Sequence, residues 1–234
     1  MNQVSSFQNC SNCVMGKFCL PLGLTAEEMK KIDQLTNKKY RLKKGEEIYR
    51  QGDVFKSLFS IRYGSFKTEH LLNDGRSQII GFHLPGEILG LDGIGNNYHE
   101  SNAVTLEDSE VCVMKFSELE SLSQHIPSFH QHFHRIMSRE ITQDHRHQLT
   151  LGSHNAEEKL ACFFLKLYER LTARGLTTNE FNLAMGREEI GSYLGLQIET
   201  ISRTLSKFSH AGLIEVHHKH IKLLDVVGLT QLAN

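Results

Sequence analysis

The period of the apolar positions changes twice along this chain, and each change marks a boundary. From Tyr40 to about Met114 short apolar runs are punctuated by glycine at 45, 52, 64, 75, 81, 86 and 90, which is strand-and-turn texture. Leu58-Phe59-Ser60-Ile61 and Gln78-Ile79-Ile80-Gly81-Phe82 read as strands. Asn73-Asp74-Gly75 between them is a hairpin signal, because Asp-Gly tolerates positive φ. Strands at this rhythm predict an antiparallel barrel or sandwich. Ahead of them Thr25-Ala26-Glu27-Glu28 is a capping box opening a short helix, with Met29, Ile32 and Leu35 at helical spacing.

From Ile126 the period becomes helical, and Phe133, Met137, Ile141, Asp144, Gln148 and Leu151 recur every three or four residues without a helix breaker. Such a stripe wants a partner: its own barrel, or a second copy in a two-stranded coiled coil. The length of the run favours the second copy and hence a homodimer. Asp144 is the misfit. In a symmetric parallel pair it faces its own copy across the two-fold axis, and like charges there oppose association. Unless Asp144 tilts out to water, the dimer is marginal and can be switched.

The third texture starts with the amphipathic run Ala156 to Leu171 and continues into a helix-turn-helix pattern: Arg187 to Leu194, a turn at Gly195, and Gln197 to Ser209. Ile198, Ile201, Leu205 and Phe208 form an inward stripe on the second helix. Glu199, Ser202, Arg203 and Ser206 share the opposite face, where a recognition helix carries its readers. Arg203 can donate two parallel hydrogen bonds to guanine, Glu199 can accept from the amino group of cytosine, and Ser202 can serve a base edge or a phosphate. Lys207 and the wing-like hairpin Leu213 to Leu223, with Lys219 at its tip, are expected on the phosphates.

Composition narrows the field. The 234 residues suffice for two ordinary domains, and no apolar run approaches the about 20 residues needed to cross a bilayer. The N-terminus lacks a signal-peptide plan, so a cytoplasmic protein is expected. A net charge of -1 leaves any nucleic-acid contact to local residues. No cofactor loop or catalytic His/Asp arrangement stands out, so no enzyme is expected. The 14 histidines come in close groups, and of His130, His132 and His134 only the first and third share a helix face; they read as polar surface residues.

Cysteine placement carries the strongest chemistry. Cys10, Cys13 and Cys19 form a C-x2-C-x5-C run that lets three sulfurs converge while leaving a coordination position for a distant ligand. Cys112 is the natural fourth. If Val111 and Val113 face the core, alternation turns Cys112 to the opposite face of its strand, within reach of the N-terminal segment. Five cysteines, an odd total, argue against a disulfide framework. Four thiolates suit zinc as well as an iron-sulfur cluster, and spacing alone does not separate the two. Cys162, in an apolar run, reads as small core filling.

With this order of segments in view, the chain resembles the Crp/Fnr superfamily of bacterial transcription factors over essentially its whole length. The residues that carry the resemblance are the four cysteines, the helix around Ile141 and Asp144, Gly191-Ser192-Tyr193-Leu194-Gly195-Leu196 and Glu199-Thr200-Ile201-Ser202-Arg203. It implies an α+β protein: an N-terminal antiparallel β-roll of the cyclic-nucleotide-binding type, a long dimerisation helix and a C-terminal winged helix-turn-helix. Segments 1–20, 21–125, 126–152 and 153–234 would hold the cysteine ligands, the roll, the helix and the DNA-binding domain. The resemblance further implies that Cys10, Cys13, Cys19 and Cys112 ligate an oxygen-labile 4Fe-4S cluster. The protein would be a homodimer bound to palindromic double-stranded DNA with TTGAT-like half-sites while the cluster is intact, and a monomer otherwise. Glu199, Ser202 and Arg203 match the residues that read the site; Phe133, Met137, Ile141, Asp144 and Leu151 fall in the dimer interface; the loop His70 to Gln78 matches a surface that touches RNA polymerase. A zinc-stapled, constitutive DNA-binding regulator is the alternative. Gly86-Glu87 is kept from the nucleotide pocket of the cyclic-AMP receptor, but Glu100-Ser101 stands where a phosphate-binding arginine is expected, so nucleotide sensing is not expected. Phe18, bulky and apolar beside Cys19, is expected to shield the cysteine site. If Asp144 sets the balance, Asp144→Ala dimerises and binds DNA in air; a strictly monomeric variant by sedimentation contradicts this.

Overall fold

The computed structural model describes residues 2–3, 10, 13–19, 24–35, 38–176 and 179–233, in two compact units, Met1–Glu140 and Ile141–Asn234. In the first unit one antiparallel sheet runs β1 (Asn2–Gln3), β2 (Lys38–Leu42), β9 (Ser109–Lys115), β4 (Ser57–Tyr63), β7 (Ile88–Leu89). The other runs β3 (Glu47–Tyr49), β8 (Asn102–Thr105), β5 (Phe66–Leu71), β6 (Ser77–His83). Residues of both sheets close a shared core, including Leu42, Tyr49, Ile61, Phe66, Ala103 and Val111. The glycine-punctuated runs predict antiparallel strands packed in two layers or a barrel, and the two facing sheets form the β-roll that the resemblance implies. The Asn73-Asp74-Gly75 turn joins β5 to β6, with Gly75 at φ +85°.

A second core lies on the outer face of the first sheet. Here Leu58 and Met114 pack with Ile32 of α1 (Ala26–Leu35), Leu119 of α2 (Phe116–His125) and Phe129 and Ile136 of α3 (Pro127–Ser153). The Thr25/Glu28 capping box forms as expected: the Thr25 amide donates to Glu28 Oε2 at 2.8 Å and the Glu28 amide to Thr25 Oγ1 at 3.3 Å. Helix α2 was not foreseen. It is separated from α3 at Ile126, whose backbone turns extended because the ring of Pro127 disfavours helical geometry at the residue before it.

The second unit holds the end of α3, then α4 (Ala156–Ala173), β10 (Glu180–Asn182), α5 (Arg187–Leu194), α6 (Ile198–His210), β11 (Ile214–His217), β12 (His220–Leu223) and α7 (Val226–Leu232). Its three strands order as β10-β12-β11. Asn155 and Glu158 cap α4 reciprocally, the Asn155 amide donating to Glu158 Oε2 at 2.8 Å and the Glu158 amide to Asn155 Oδ1 at 3.2 Å. No helix among the described residues is long and apolar enough to cross a membrane.

Phe129, 1% exposed, fastens α3 to the outer core. Phe129→Ala should lower stability by about 4 kcal/mol, read as an earlier urea midpoint followed by far-ultraviolet circular dichroism.

Candidate metal centre and nucleic-acid interface

Strand β9 is central in its sheet, so each of its faces is claimed. Val111 enters the core between the sheets and Met114 the core under the helices. Cys112 lies on the Met114 side by alternation. The expectation that Val111 and Val113 turn Cys112 to the opposite face therefore holds, although Val113 is only half-buried. That opposite face is roofed by helices rather than open.

Of the N-terminal segment 1–20, residues 2–3, 10 and 13–19 are described and the others lie outside the described residues. Cys10, Cys13, Cys19 and Cys112 line one cavity of about 20 Å³, together with Met15, Ile32, Ser60, Arg62 and Met114. Among the described residues no three His, Cys, Asp or Glu side chains converge closely enough to hold a single ion; the four thiols stand around a common hollow. All four are half-buried and none forms a disulfide. A turn of 3-10 helix, Val14–Lys17, carries the segment from Cys13 towards Cys19. Phe18 packs on Gly86 so closely that a Cβ there would lie 2.7 Å from the Phe18 Cβ.

Polar and charged side chains crowd around the cavity in a way the cysteine spacing did not announce. Cys112 is in direct register with Lys39 of β2 on one side and Ser60 of β4 on the other. Lys39 is 5% exposed, a rare place for a lysine. The Ser60 hydroxyl lies 2.9 Å from the sulfur of Cys19. Glu110, fully buried, is held by both Arg62 and Arg41, the Arg41 Nε–Oε2 distance being 3.0 Å. Burial pushes the Glu110 carboxyl up, but the hydrogen bonds from Arg62 and Arg41 outweigh it and hold its pKa below the usual value. Burial pushes the Cys112 thiol up to about 12; Cys10 and Cys13 add to this, while Lys39 and Arg62 pull against it. Thiolates gathered here need a positive centre, and an all-sulfur donor set fits a zinc or iron-sulfur group.

Helix α3 reaches this segment through His132, whose Nε2–H donates to the Cys19 carbonyl at 3.2 Å. Burial lowers the His132 pKa and the carbonyl partly restores it, with Arg139 and Arg135 lowering it further. This histidine is not a surface residue as expected: it is 6% exposed. His130 and His134 do share the other face, their rings 4.2 Å apart.

The predicted dimer stripe divides. Phe133 is half-buried against its own outer core, beside Phe129 and Ile136. Met137 is half-buried, Ile141 is 56% exposed, Asp144 is exposed and Leu151 is half-buried. Leu149, which the stripe omitted, is 63% exposed. The Asp144 carboxyl is raised by partial desolvation, against the pull of His145 and Lys166.

In the second unit the helix-turn-helix forms as read. Gly195 ends α5 at φ +63°. Gly191 has a second role, because a Cβ there would lie 2.6 Å from the Leu196 carbonyl oxygen that the tight turn brings close. Along α6, Ile201, Leu205 and Phe208 are buried. Ile198 is not, being 42% exposed at the first turn, and Thr204 fills the inner face instead. Glu199 and Arg203 are exposed and Ser202 is half-buried, its hydroxyl accepting from Arg187 Nη1 at 3.3 Å. Two lysines expected on phosphates are engaged within the unit: Lys207 Nζ pairs with Glu157 at 2.6 Å, and Lys219 Nζ donates to the Ala184 carbonyl at 3.0 Å. Cys162 is half-buried rather than core, its thiol 3.6 Å from the Ala233 carbonyl.

A β-rich roll followed by this helix-turn-helix defines a class of DNA-binding transcription regulators, and comparison with known proteins agrees. Residues 39–125 match the cyclic nucleotide-binding domain and residues 158–232 the Crp-like helix-turn-helix domain. The chain is 45% identical over 224 residues to the transcriptional regulatory protein btr of Bordetella pertussis, covering 96% of this chain and 93% of that protein. It is 40% identical to the fumarate and nitrate reduction regulatory protein of Escherichia coli K12, covering 96% and 90%. The structure of FixK2 from Bradyrhizobium japonicum superposes with a TM-score of 0.78 at 30% identity, covering 84% of this chain and 96% of that one. The chain belongs to the Crp/Fnr family, whose members are transcription regulators rather than enzymes.

Glu110 holds Arg62 at the cavity wall, and its folded-state pKa is depressed. Its contribution is therefore complete above the unfolded carboxyl value of about 4.3 and is lost as pH falls through the folded value. Glu110→Gln should cost about 3 kcal/mol near neutrality and flatten the acid limb of the melting temperature measured against pH.

Proposed function

We propose that this regulator responds to oxygen: Cys10, Cys13, Cys19 and Cys112 hold a 4Fe-4S cluster, and the loaded chain pairs into a homodimer that binds a palindromic TTGAT-like site. The observation that carries the reading is the shared cavity, where three cysteines of one short segment meet a fourth from the central strand β9. The name of the E. coli relative, a fumarate and nitrate reduction regulatory protein, points to anaerobic respiration. When bound, an iron-sulfur centre supplies the sensitivity to oxygen.

The chain's own residues do the rest. Cys112 anchors the N-terminal segment to the sheet, and Lys39 and Arg62 offset the negative charge of gathered thiolates. The seam of Met137, Ile141 and Leu151, flanked by Phe133, then closes on a second copy against the repulsion of the two Asp144 carboxylates. Paired subunits set their α6 helices about one DNA turn, roughly 34 Å, apart. Arg203 and Glu199 face base edges and Ser202 a base or phosphate, each good pair adding about 1–3 kcal/mol of discrimination. In this reading segments 1–20, 21–125, 126–152 and 153–234 are the ligand segment, the roll, the dimerisation helix and the DNA-binding domain, the protein works in the cytoplasm, and the hairpin between His70 and Gln78 meets RNA polymerase.

Protein purified without air should be brown, carry about four iron and four sulfide per chain, and bleach in air. Stripping the iron should convert dimer to monomer and weaken binding to a TTGAT palindrome at least tenfold in a gel-shift titration. A colourless protein carrying zinc, or equal DNA affinity before and after stripping, overturns the reading.

A further inference from the structure

Cys19 is held at two ends by two different elements. Its sulfur lies 2.9 Å from the hydroxyl of Ser60 on β4, the strand position in register with Cys112. Its carbonyl accepts the Nε2–H of His132 at 3.2 Å. A carbonyl only accepts, so the ring nitrogen facing it must carry the proton. His132 is 6% exposed and lies on the face of α3 that includes Phe129 and Ile136, three residues before it and four after. Both of these are buried in the outer core. The next residue, Phe133, begins the stripe that runs to the exposed Ile141. One partly buried hydrogen bond therefore joins the backbone of a cysteine at the cavity to the helix that carries the proposed seam.

We propose that His132 is a positioning residue that couples the state of the cysteine site to the dimerisation helix. The inference rests on the proposed function and adds a route to it. Among the described residues the sulfurs do not yet converge on one ion, so ligating a shared group must move them. The movement at Cys19 reaches α3 through the His132 ring. The Ser128–Glu28 hydrogen bond, at 3.2 Å, ties α3 to α1 but involves no cysteine, so it steadies the helix without reporting on the site. A histidine that merely fills the core would make the same apolar contacts, but its replacement would weaken the iron-free and iron-loaded proteins alike.

The test compares wild type with H132L and H132Q, each prepared without air in loaded and iron-free form. It measures the dimer dissociation constant by sedimentation, iron per chain, and the melting temperature of the iron-free form. Wild type should dimerise more tightly when loaded. H132L should keep its iron and its iron-free melting temperature but lose about three- to tenfold of that gain, the net worth of one hydrogen bond. H132Q, whose amide can still donate, should retain most of it. If leucine disturbs the iron-free melt, H132M carries the same comparison. The proposal is overturned if H132L and H132M keep the full gain, or if the glutamine variant loses as much as they do. Absence of any iron-dependent gain in wild type instead overturns the reading beneath it, and is seen before any substitution is made.

Discussion

A strand buried on both faces must distribute its side chains between two environments, and β9 does this at the point where the cysteine chemistry is placed. Alternation gives Val111 to the core between the sheets and Met114 to the core beneath the helices. Cys112 accompanies Met114 because side chains two apart on a strand share a face. A slip of one residue would bury Cys112 between the sheets, out of reach of the N-terminal segment. The apolar residues that set the register thus also set the position of the sulfur.

The same strand explains why charges are buried nearby. Lys39 and Glu110 both have almost no exposure, and neither would be retained in an apolar core without partners. Glu110 has two arginines, and one of them, Arg62, lines the cavity wall. Lys39 sits in register with Cys112 and opposes the effect of burial on that thiol. The cavity therefore favours negative charge on its sulfurs only where positive charge is gathered around them. The nearby cations favour the thiolate form of Cys112, and burial opposes it.

What could be read beforehand follows from how far each interaction reaches along the chain. The Thr25/Glu28 box, the Asp74-Gly75 turn and the Gly195 turn of the helix-turn-helix are local, and each appears where its residues predict. The cysteine run is local in three of its members, and Cys112 could be added because thiols are rare enough to stand out. The surroundings of the cavity could not be read this way. Ser60 and Arg62 at its wall, and Lys39 and His132 beside the cysteines, are ordinary residue types brought there by strand register and helix docking, contacts that span 41 residues between Ser60 and Cys19 and 113 between His132 and Cys19. His132 looked like surface because its neighbours are histidines that do lie there. Ile198 shares the helical spacing of the inward stripe but falls in the exposed first turn of α6. Charge alone points Lys207 to phosphate, and charge alone does not show that Glu157 lies 2.6 Å away.

Helix α3 divides by what each part of it buries. Up to Ile136 its apolar side chains are used by its own roll, while Ile141 and Leu149 remain largely in water. Burying a leucine or isoleucine fully is worth about 1.5–3 kcal/mol, so in the proposed dimer a second copy along the seam would gain a few kcal/mol per chain. Two carboxylates about 4 Å apart repel by about 1 kcal/mol in water and about 4 kcal/mol near a protein surface. In that proposed pair the opposing terms would be of one size, with partial desolvation already raising the Asp144 carboxyl. An equilibrium balanced this closely responds to a change of 1–3 kcal/mol, the usual range of coupling between sites. A single hydrogen bond at the other end of the helix falls at the low end of that range. A strongly hydrophobic seam would leave such a contact without influence, and a strongly charged one would leave it without effect for the opposite reason; the mixed stripe from Met137 to Leu151 lies between those limits.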